Sequence, residues 1–201
     1  MIKHFKCKHT RALYEGKSPK QFRAFQEQAE RKLQMLDSAA ELLDLQSPPG
    51  NRLEKLGGSR QGQHSIRINK QWRVCFVWSG EPRDVEITDY HRDNRLPLRG
   101  KIMNNMRPIH PGEIIKKEYL EPLGMSVNAL AIALRVPAPR INDVVRQKRG
   151  VSIDTALRLS IYFNTTAQFW MNLQTSYDLK IARQNMAKIE DEIVPLQTVR
   201  A

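Results

Sequence analysis

Cysteine, aromatic side chains, acidic charge and long apolar runs are all scarce in this chain. Only two cysteines stand among 201 residues, and aromatics make up 7% of them. Cys7 and Cys75 lie far apart and in no CxxC pair, which argues against a disulfide scaffold or a thiolate zinc site and for reduced thiols. His4, Cys7 and His9 loosely suggest a metal cluster, but a fourth ligand has no obvious source, so neither a metal nor a cofactor is expected. The first residues, Met1 to Lys6, hold no apolar run of signal-peptide length. No stretch approaches the roughly 20 apolar residues of a membrane span, so the cytoplasm is expected and a membrane partner is not. The shortage of acid is the most telling. There are 33 Lys and Arg against 21 Asp and Glu, a formal charge of +12. Through Arg92 the count is 17 against 11, and from Asp93 onward 16 against 10, so each half carries +6 and each is expected to meet a polyanion.

What is present divides into two hydrophobic patterns. In the first half, Ile2 to Phe5 reads as a short edge strand, and Thr10 to Glu15 as one or two helical turns stopped by Gly16. Ser18-Pro19 starts a longer helix, in which Phe22, Phe25, Ala29, Leu33 and Leu36 recur at three- and four-residue steps. Ala39 to Leu45 adds a shorter helix, ended by Ser47-Pro48-Pro49-Gly50-Asn51. The loop Leu56-Gly57-Gly58-Ser59 lacks the GxxxxGK[ST] spacing of a phosphate-cradling loop. Strands follow: His64 to Asn69 alternates through Ile66 and Ile68, Trp72 to Trp78 through Val74 and Phe76, and Asp84 to Thr88 through Val85 and Ile87.

The register of the central hairpin can be argued from charge. A two-residue loop would mix aliphatics with arginine on one face. A three-residue loop, Asn69 to Gln71, pairs Ile68 with Trp72, Ile66 with Val74 and Arg67 with Arg73, and keeps one face apolar. Two arginines then stand opposite each other, which is unfavourable unless an anion lies between them. Glu86 on the third strand is one candidate, and an RNA phosphate is another. The closing string Asp89-Tyr90-His91 puts acid, phenol and imidazole at the mouth of a basic sheet. Such groups can move protons during phosphodiester cleavage while arginines hold the charge that builds on phosphorus. No metal is needed if RNA supplies its 2′-hydroxyl as nucleophile.

Through Ser65-Ile66, Trp72-Arg73 and Asp89-Tyr90-His91, residues 1–92 resemble the HigB toxins of the RelE-like messenger-RNA interferases. The resemblance implies cleavage of messenger on translating ribosomes, with Arg73, Asp89, Tyr90 and His91 as the catalytic residues; Arg67 and Arg60 are the candidate RNA-binding residues. Two positions depart: where some members have His and Lys, this chain has Glu54 and Gly57, which leaves more of the proton transfer to Tyr90 and His91.

Residues 93–105, DNRLPLRGKIMNN, read as a linker. Beyond it Pro111 opens a helix with Ile114, Ile115, Tyr119 and Leu120 on its packing face, stopped by Pro122. Ser126 caps a helix presenting Leu130, Ala131 and Leu134. After Pro137 a second helix repeats the spacing with Ile141, Val144 and Val145, which is a helix-turn-helix pattern. In it Ala138, Pro139, Arg140 and Asp143 face base edges, and Asn142, Arg146, Lys148 and Arg149 face phosphates. Ser152 caps a helix over 153–163, and Thr165 or Thr166 caps a last helix whose Phe169 and Trp170 belong to a core or a dimer interface. With His110-Pro111-Gly112-Glu113 and Asp154 to Leu159, residues 106–184 resemble the HigA antitoxins, which are XRE-type helix-turn-helix proteins. Such domains often carry Gly at the turn; Arg135 stands there, so a differently shaped turn is expected, since a left-handed backbone costs Arg on the order of 1 kcal/mol. Residues 185–201 read as a loose tail.

The expected fold class is therefore α+β: a RelE-like small antiparallel sheet with helices, followed by an all-α helix-turn-helix domain. The resemblances imply an endoribonuclease half, acting on mRNA and the ribosome, neutralised by an antitoxin half that binds operator DNA, represses its own operon and forms a homodimer through the helix-turn-helix domain. The alternative is a DNA-binding transcriptional regulator whose toxin-like domain is catalytically inactive.

Overall fold

The structure, a computed structural model, describes residues 1–89 and 103–193. Residues 90–102, which include Tyr90, His91 and most of the expected linker, and residues 194–201 lie outside the described residues.

The first half is built around one helix. Helix α1 (Lys8–Tyr14) ends at Gly16, whose φ of +82° suits a residue without a side chain. A 3-10 turn over Lys20–Phe25 leads into α2 (Gln26–Ser38). The expected stripe of Phe22, Phe25, Ala29, Leu33 and Leu36 is buried throughout. It packs on the sheet through Trp72, whose ring stacks on Phe25 at 5.2 Å and meets Phe22 edge-on at 5.7 Å. The short helix α3 (Leu43–Gln46) follows.

The sheet has four antiparallel strands in the order β1-β2-β3-β4: β1 (Glu54–Lys55), β2 (Gln63–Arg67), β3 (Trp72–Trp78) and β4 (Pro82–Asp89). The hairpin takes the three-residue register: Ile68 N–H donates to Trp72 O at 2.9 Å, Ile66 pairs with Val74 and Arg67 with Arg73. Ile66, Val74, Phe76, Val85 and Ile87 line the core face. The edge strand expected at Ile2 to Phe5 shrinks to a single parallel bridge between Phe5 and Val85, and β1 was not foreseen, because two residues are too few to show a period.

In the distal half the first helix is continuous but irregular: α4 (Pro111–Ile114), a wide π turn (Ile115–Leu120), then α5 (Glu121–Leu123). Pro122 does not stop it. The π turn lets Glu121 N–H reach back to Lys116 O, so Pro122 falls in the first turn of a new helical segment, where a missing N–H costs little. Gly124, at φ +60°, ends it instead. Then come α6 (Val127–Ala133), α7 (Ala138–Val145), α8 (Ile153–Phe163) and α9 (Ala167–Ala182). Ser126, Ser152 and Thr166 cap α6, α8 and α9 with their hydroxyls. The turn at Arg135 is left-handed after all, with φ +55°; arginine bears that cost while Val136 N–H bonds back to Ala131 O. Phe169 and Trp170 are fully buried and belong to the core, where Trp170 Nε1 donates to Thr165 Oγ1 at 2.8 Å. The tail begins as a helix, α10 (Met186–Glu192), rather than loose chain.

The halves meet at α2. One side of this helix packs on the sheet; the other carries Arg31, Lys32, Gln34 and Ser38 into the distal half, and all four are buried. Gln34 donates to Ser176 Oγ of α9, and Asn172 of α9 donates to Ser38 O. At the start of the distal half, Asn105 and Met106 both donate their N–H groups to Tyr14 O.

Candidate functional site

The polar face of the sheet is the one turned away from α2. On it, Arg73 Nη1 donates to Ser65 Oγ at 3.1 Å, and the guanidinium forks onto Glu54, with Nη2 to Oε1 at 3.2 Å and Nη1 to Oε2 at 3.1 Å. Arg67, directly opposite Arg73, donates Nε to Asn69 O, the hairpin's own carbonyl. Glu86 does not lie between these arginines. It is on the same face but one row along, buried, with Lys6 Nζ at 3.2 Å and Arg60 Nη1 at 3.3 Å on its Oε1. Arg60, expected on RNA, is thus engaged with Glu86. Asp89 accepts from Gln71 Nε2 at 2.6 Å beside a cavity of about 260 Å³ lined by Cys7, His9, Gln21 and Trp72. Arg73 and Asp89 sit on the adjacent strands β3 and β4, but the register pairs Asp89 with Trp72, on the α2 side of the sheet, and Thr88 with Arg73, so the two expected catalytic residues do not share a face. Tyr90 and His91 fall outside the described residues. Sequence reasoning treated Glu54 as a missing imidazole; the structure makes it the partner of Arg73. Gly57 has open space around it. His4, Cys7 and His9 form no metal cluster, and no group of three metal-ligating residues occurs among the described residues.

On the distal half, α6, the turn and α7 form the helix-turn-helix. Ala138, Pro139 and Arg140 lie in the first turn of α7, with Pro139 exposed and Arg140 Nη1 2.6 Å from Asp154 Oδ2. Asp154 also receives Arg158, whose Nη1 reaches Leu134 O, so α8 is tied to the turn. Asn142, partly buried, bonds Ala138 O at 3.0 Å and Asn128 Oδ1 at 3.3 Å. Asp143 is partly buried; its carbonyl takes the N–H groups of Lys148 and Arg149 and so shapes the loop after α7. Arg146, Lys148 and Arg149 are exposed, with no ion-pair partner among the described residues. That is a solvated cationic ridge of the kind that meets a phosphate backbone.

The string His110-Pro111-Gly112-Glu113 holds this unit together. His110 Nδ1 accepts from Gly112 N at 2.9 Å, so it is neutral there, and burial pushes its pKa below the ordinary value. Its ring meets Tyr177 edge-on at 4.7 Å. A Cβ at Gly112 would stand 1.9 Å from Val144 O, so only glycine lets α4 lie against the end of α7. Glu113 turns the other way, toward the first half.

There it joins a buried chain of charges. Arg107 donates to Glu30 of α2 at 2.9 Å and forks onto Glu113 at 2.7 and 2.8 Å. Glu113 also takes Arg31 Nη1 at 3.3 Å, and Arg31 Nε donates to Glu118 at 2.8 Å. Glu118 in turn pairs with Lys32, which donates to the buried Asn51 Oδ1 at 2.6 Å. The first half supplies Glu30, Arg31 and Lys32; the second supplies Arg107, Glu113 and Glu118. Burial alone would raise the Glu113 carboxyl, but Arg107 and then Arg31 outweigh it, and the net shift is downward. A second polar link runs from Asp44, whose carboxylate takes Thr166 N at 2.6 Å and Thr166 Oγ1 at 2.9 Å.

Known proteins resemble different parts of the chain. Over 95 residues it is 55% identical to Virulence-associated protein I of Dichelobacter nodosus, covering 47% of this chain and 87% of that protein. Over 91 residues it is 32% identical to Antitoxin HigA-1 of Vibrio cholerae, covering 45% of this chain and 85% of that protein. The chain belongs to the HigA antitoxin family. A solved structure of Pseudomonas aeruginosa antitoxin HigA with the higBA promoter is 55% identical, with a TM-score of 0.43, covering 45% of this chain and all of that one. Ahead of the HigA part, residues 3–93 match the family HigB-like toxin, described as the RelE-like toxin of the type II toxin-antitoxin system HigB. The polar sheet face lies within the stretch that matches the HigB-like toxin model, and the helix-turn-helix with its cationic ridge lies beyond it. No described helix is long and apolar enough to cross a membrane.

Proposed function

We propose that this chain is a toxin and its antitoxin joined in one polypeptide. The HigB-like half, residues 1–92, is a metal-independent endoribonuclease that cleaves messenger RNA on the ribosome; the HigA half, from residue 106 to about 184, restrains it and represses their shared operon. The observation that carries this reading is the buried charge chain between α2 and the distal half, in which each half supplies what the other lacks. It docks the HigA part on α2, behind the sheet and away from the face that carries Arg73. Restraint on this reading comes from bulk that keeps the domain off the ribosome rather than from plugging the site.

In the cleavage step Arg73 would hold the scissile phosphate by its guanidinium fork, a geometry that matches two phosphate oxygens. Asp89, Tyr90 and His91 would handle the protons of the attacking 2′-hydroxyl and the departing 5′-oxygen. Arg67 adds positive charge on the same strand pair. On DNA, Arg140 reads a base edge after leaving Asp154, while Arg146, Lys148 and Arg149 take phosphates. Pairing of two copies is supported by α8, where Ile153, Leu157 and Ile161 recur at four-residue steps and are 68%, 51% and 83% exposed, an apolar stripe suited to a two-fold partner.

A translating extract tests the first part. The chain carrying Glu113→Ala and Glu118→Ala should cleave messenger where the parent chain does not, and Arg73→Ala should abolish the cleavage. Messenger left intact by both chains favours the second reading, a DNA-binding regulator with an inactive toxin-like domain. The observation on that side is Glu54, whose carboxylate already occupies the Arg73 fork.

A further inference from the structure

On the polar sheet face Glu54 differs from Glu86, which is 3% exposed and held by Lys6 and Arg60. Glu54 stands on the two-residue edge strand β1 with its side chain 48% exposed, while the Arg73 side chain it grips is 18% exposed. The two oxygens of Glu54 face Nη1 and Nη2 of Arg73, the arrangement that two oxygens of a phosphate would adopt on the same fork. Arg73 is held from the strand side as well, by Ser65 Oγ on Nη1. If Glu54 swings away, its carboxylate is hydrated in open solvent, and the guanidinium stays anchored where it is.

We propose that Glu54 is an anion built into the phosphate site of Arg73, one that an RNA backbone must displace, so that this residue sets the RNA affinity of the sheet face. The proposal rests on the RNA-handling role given above to that face. Exchange of the half-exposed Glu54 carboxylate for a phosphate on this fork keeps an anion on Arg73 in both states. Binding is then weaker than for an open arginine by the strength of one exposed ion pair, roughly three- to fivefold in Kd at low salt. The handicap should fade as salt screens the pair.

The test uses the full chain with Lys148→Ala and Arg149→Ala, which removes phosphate contacts of the distal half, and a fluorescent single-stranded RNA whose 2′-O-methyl groups prevent cleavage. Anisotropy titrations compare this chain with Glu54→Gln, Arg73→Ala and the double variant, each checked for an unchanged melting temperature. Glu54→Gln should lower Kd about three- to fivefold, and the same change in the Arg73→Ala background should do nothing. A Glu54→Gln Kd that is unchanged or raised overturns the proposal. So does equal tightening with and without Arg73, which would make Glu54 a distant contributor to the overall field. If Arg73→Ala itself leaves Kd unchanged, the RNA-handling role of the face fails, a separate result from failure of the Glu54 displacement.

Discussion

Replacing Glu118 by glutamine keeps the shape of the side chain and removes one negative charge from a place that water barely reaches. Glu118 is 7% exposed and holds both Arg31 and Lys32, whose side chains are 9% and 4% exposed. Burial pulls the Lys32 ammonium below the ordinary lysine value, and Glu118 is the largest influence holding it up. Without that carboxylate two cations are left in a low-dielectric seam with Asn51 Oδ1 as a neutral acceptor. Breaking a buried pair by removing one partner costs about 3–5 kcal/mol. Against a typical domain stability of roughly 5–15 kcal/mol that is a large share. Urea unfolding followed by tryptophan fluorescence reads the effect, with Trp72 and Trp78 reporting on the first half and Trp170 on the second. At a slope of about 1–3 kcal/mol/M the midpoint should fall by on the order of 1–5 M. A loss below about 1 kcal/mol would place Glu118 with exposed surface pairs and refute the idea that this charge joins the halves. Substituting Arg31, Lys32 and Glu118 together by methionine should recover most of the loss, because desolvation of the ions disappears with them.

Further outcomes follow from the same coordinates. Gly112→Ala puts a methyl group 1.9 Å from Val144 O, so it should destabilise the distal half by about 3 kcal/mol or more, read as a drop in melting temperature and loss of operator binding. The folded pKa of Glu113 is lowered, so its contribution is present above the ordinary value of 4.5 and is lost as pH falls through the folded value. Acid should therefore weaken the joint, and Glu113→Gln should flatten that limb of a stability-against-pH curve. Lys180, which donates to Asn104 Oδ1 at 2.7 Å, is pulled down to about 8 by burial. Its penalty holds below that pH and eases as pH rises toward 10.5, so the chain should gain stability across this range and Lys180→Met should lose the gain. In the distal half, Arg140→Ala should relax sequence preference, and Lys148→Ala should weaken all duplexes alike and reduce the salt slope; equal binding to any duplex by the parent chain would refute operator reading.

The parts legible in the sequence were those with a period or a local rule. Alternation through Ile66, Ile68, Val74 and Phe76, combined with the rule against mixing arginine into the apolar face, fixed the hairpin register. Hydroxyls ahead of helical patterns marked the caps at Ser126 and Ser152 and narrowed the last to Thr165 or Thr166, of which the structure uses Thr166. Where two local rules competed, the reading failed. Pro122 looked like a helix end, yet a π turn carried the backbone past it, and Arg135 looked too costly for a left-handed turn but adopts one. The partners of charged groups were the least legible, because they depend on chain segments far apart in sequence. Glu86 found Lys6 and Arg60 rather than the facing arginines, and Glu54 found Arg73. Arg31, Lys32 and Gln34 lie outside the apolar stripe of α2, and no pattern within that helix indicates that a second folding unit buries them.

Asn105 and Met106, held by their backbone N–H groups on Tyr14 O, start the distal half directly on the body of the proximal one. Release and recapture of one half by the other are therefore unimolecular events. Their balance is indifferent to dilution and to how much of the protein a cell makes, and the local concentration of one half around the other stays on the order of millimolar. Stoichiometry is locked at one to one by covalent bonds, so a lasting separation of the halves needs a cut in the backbone between them or a change in the charges that hold the joint.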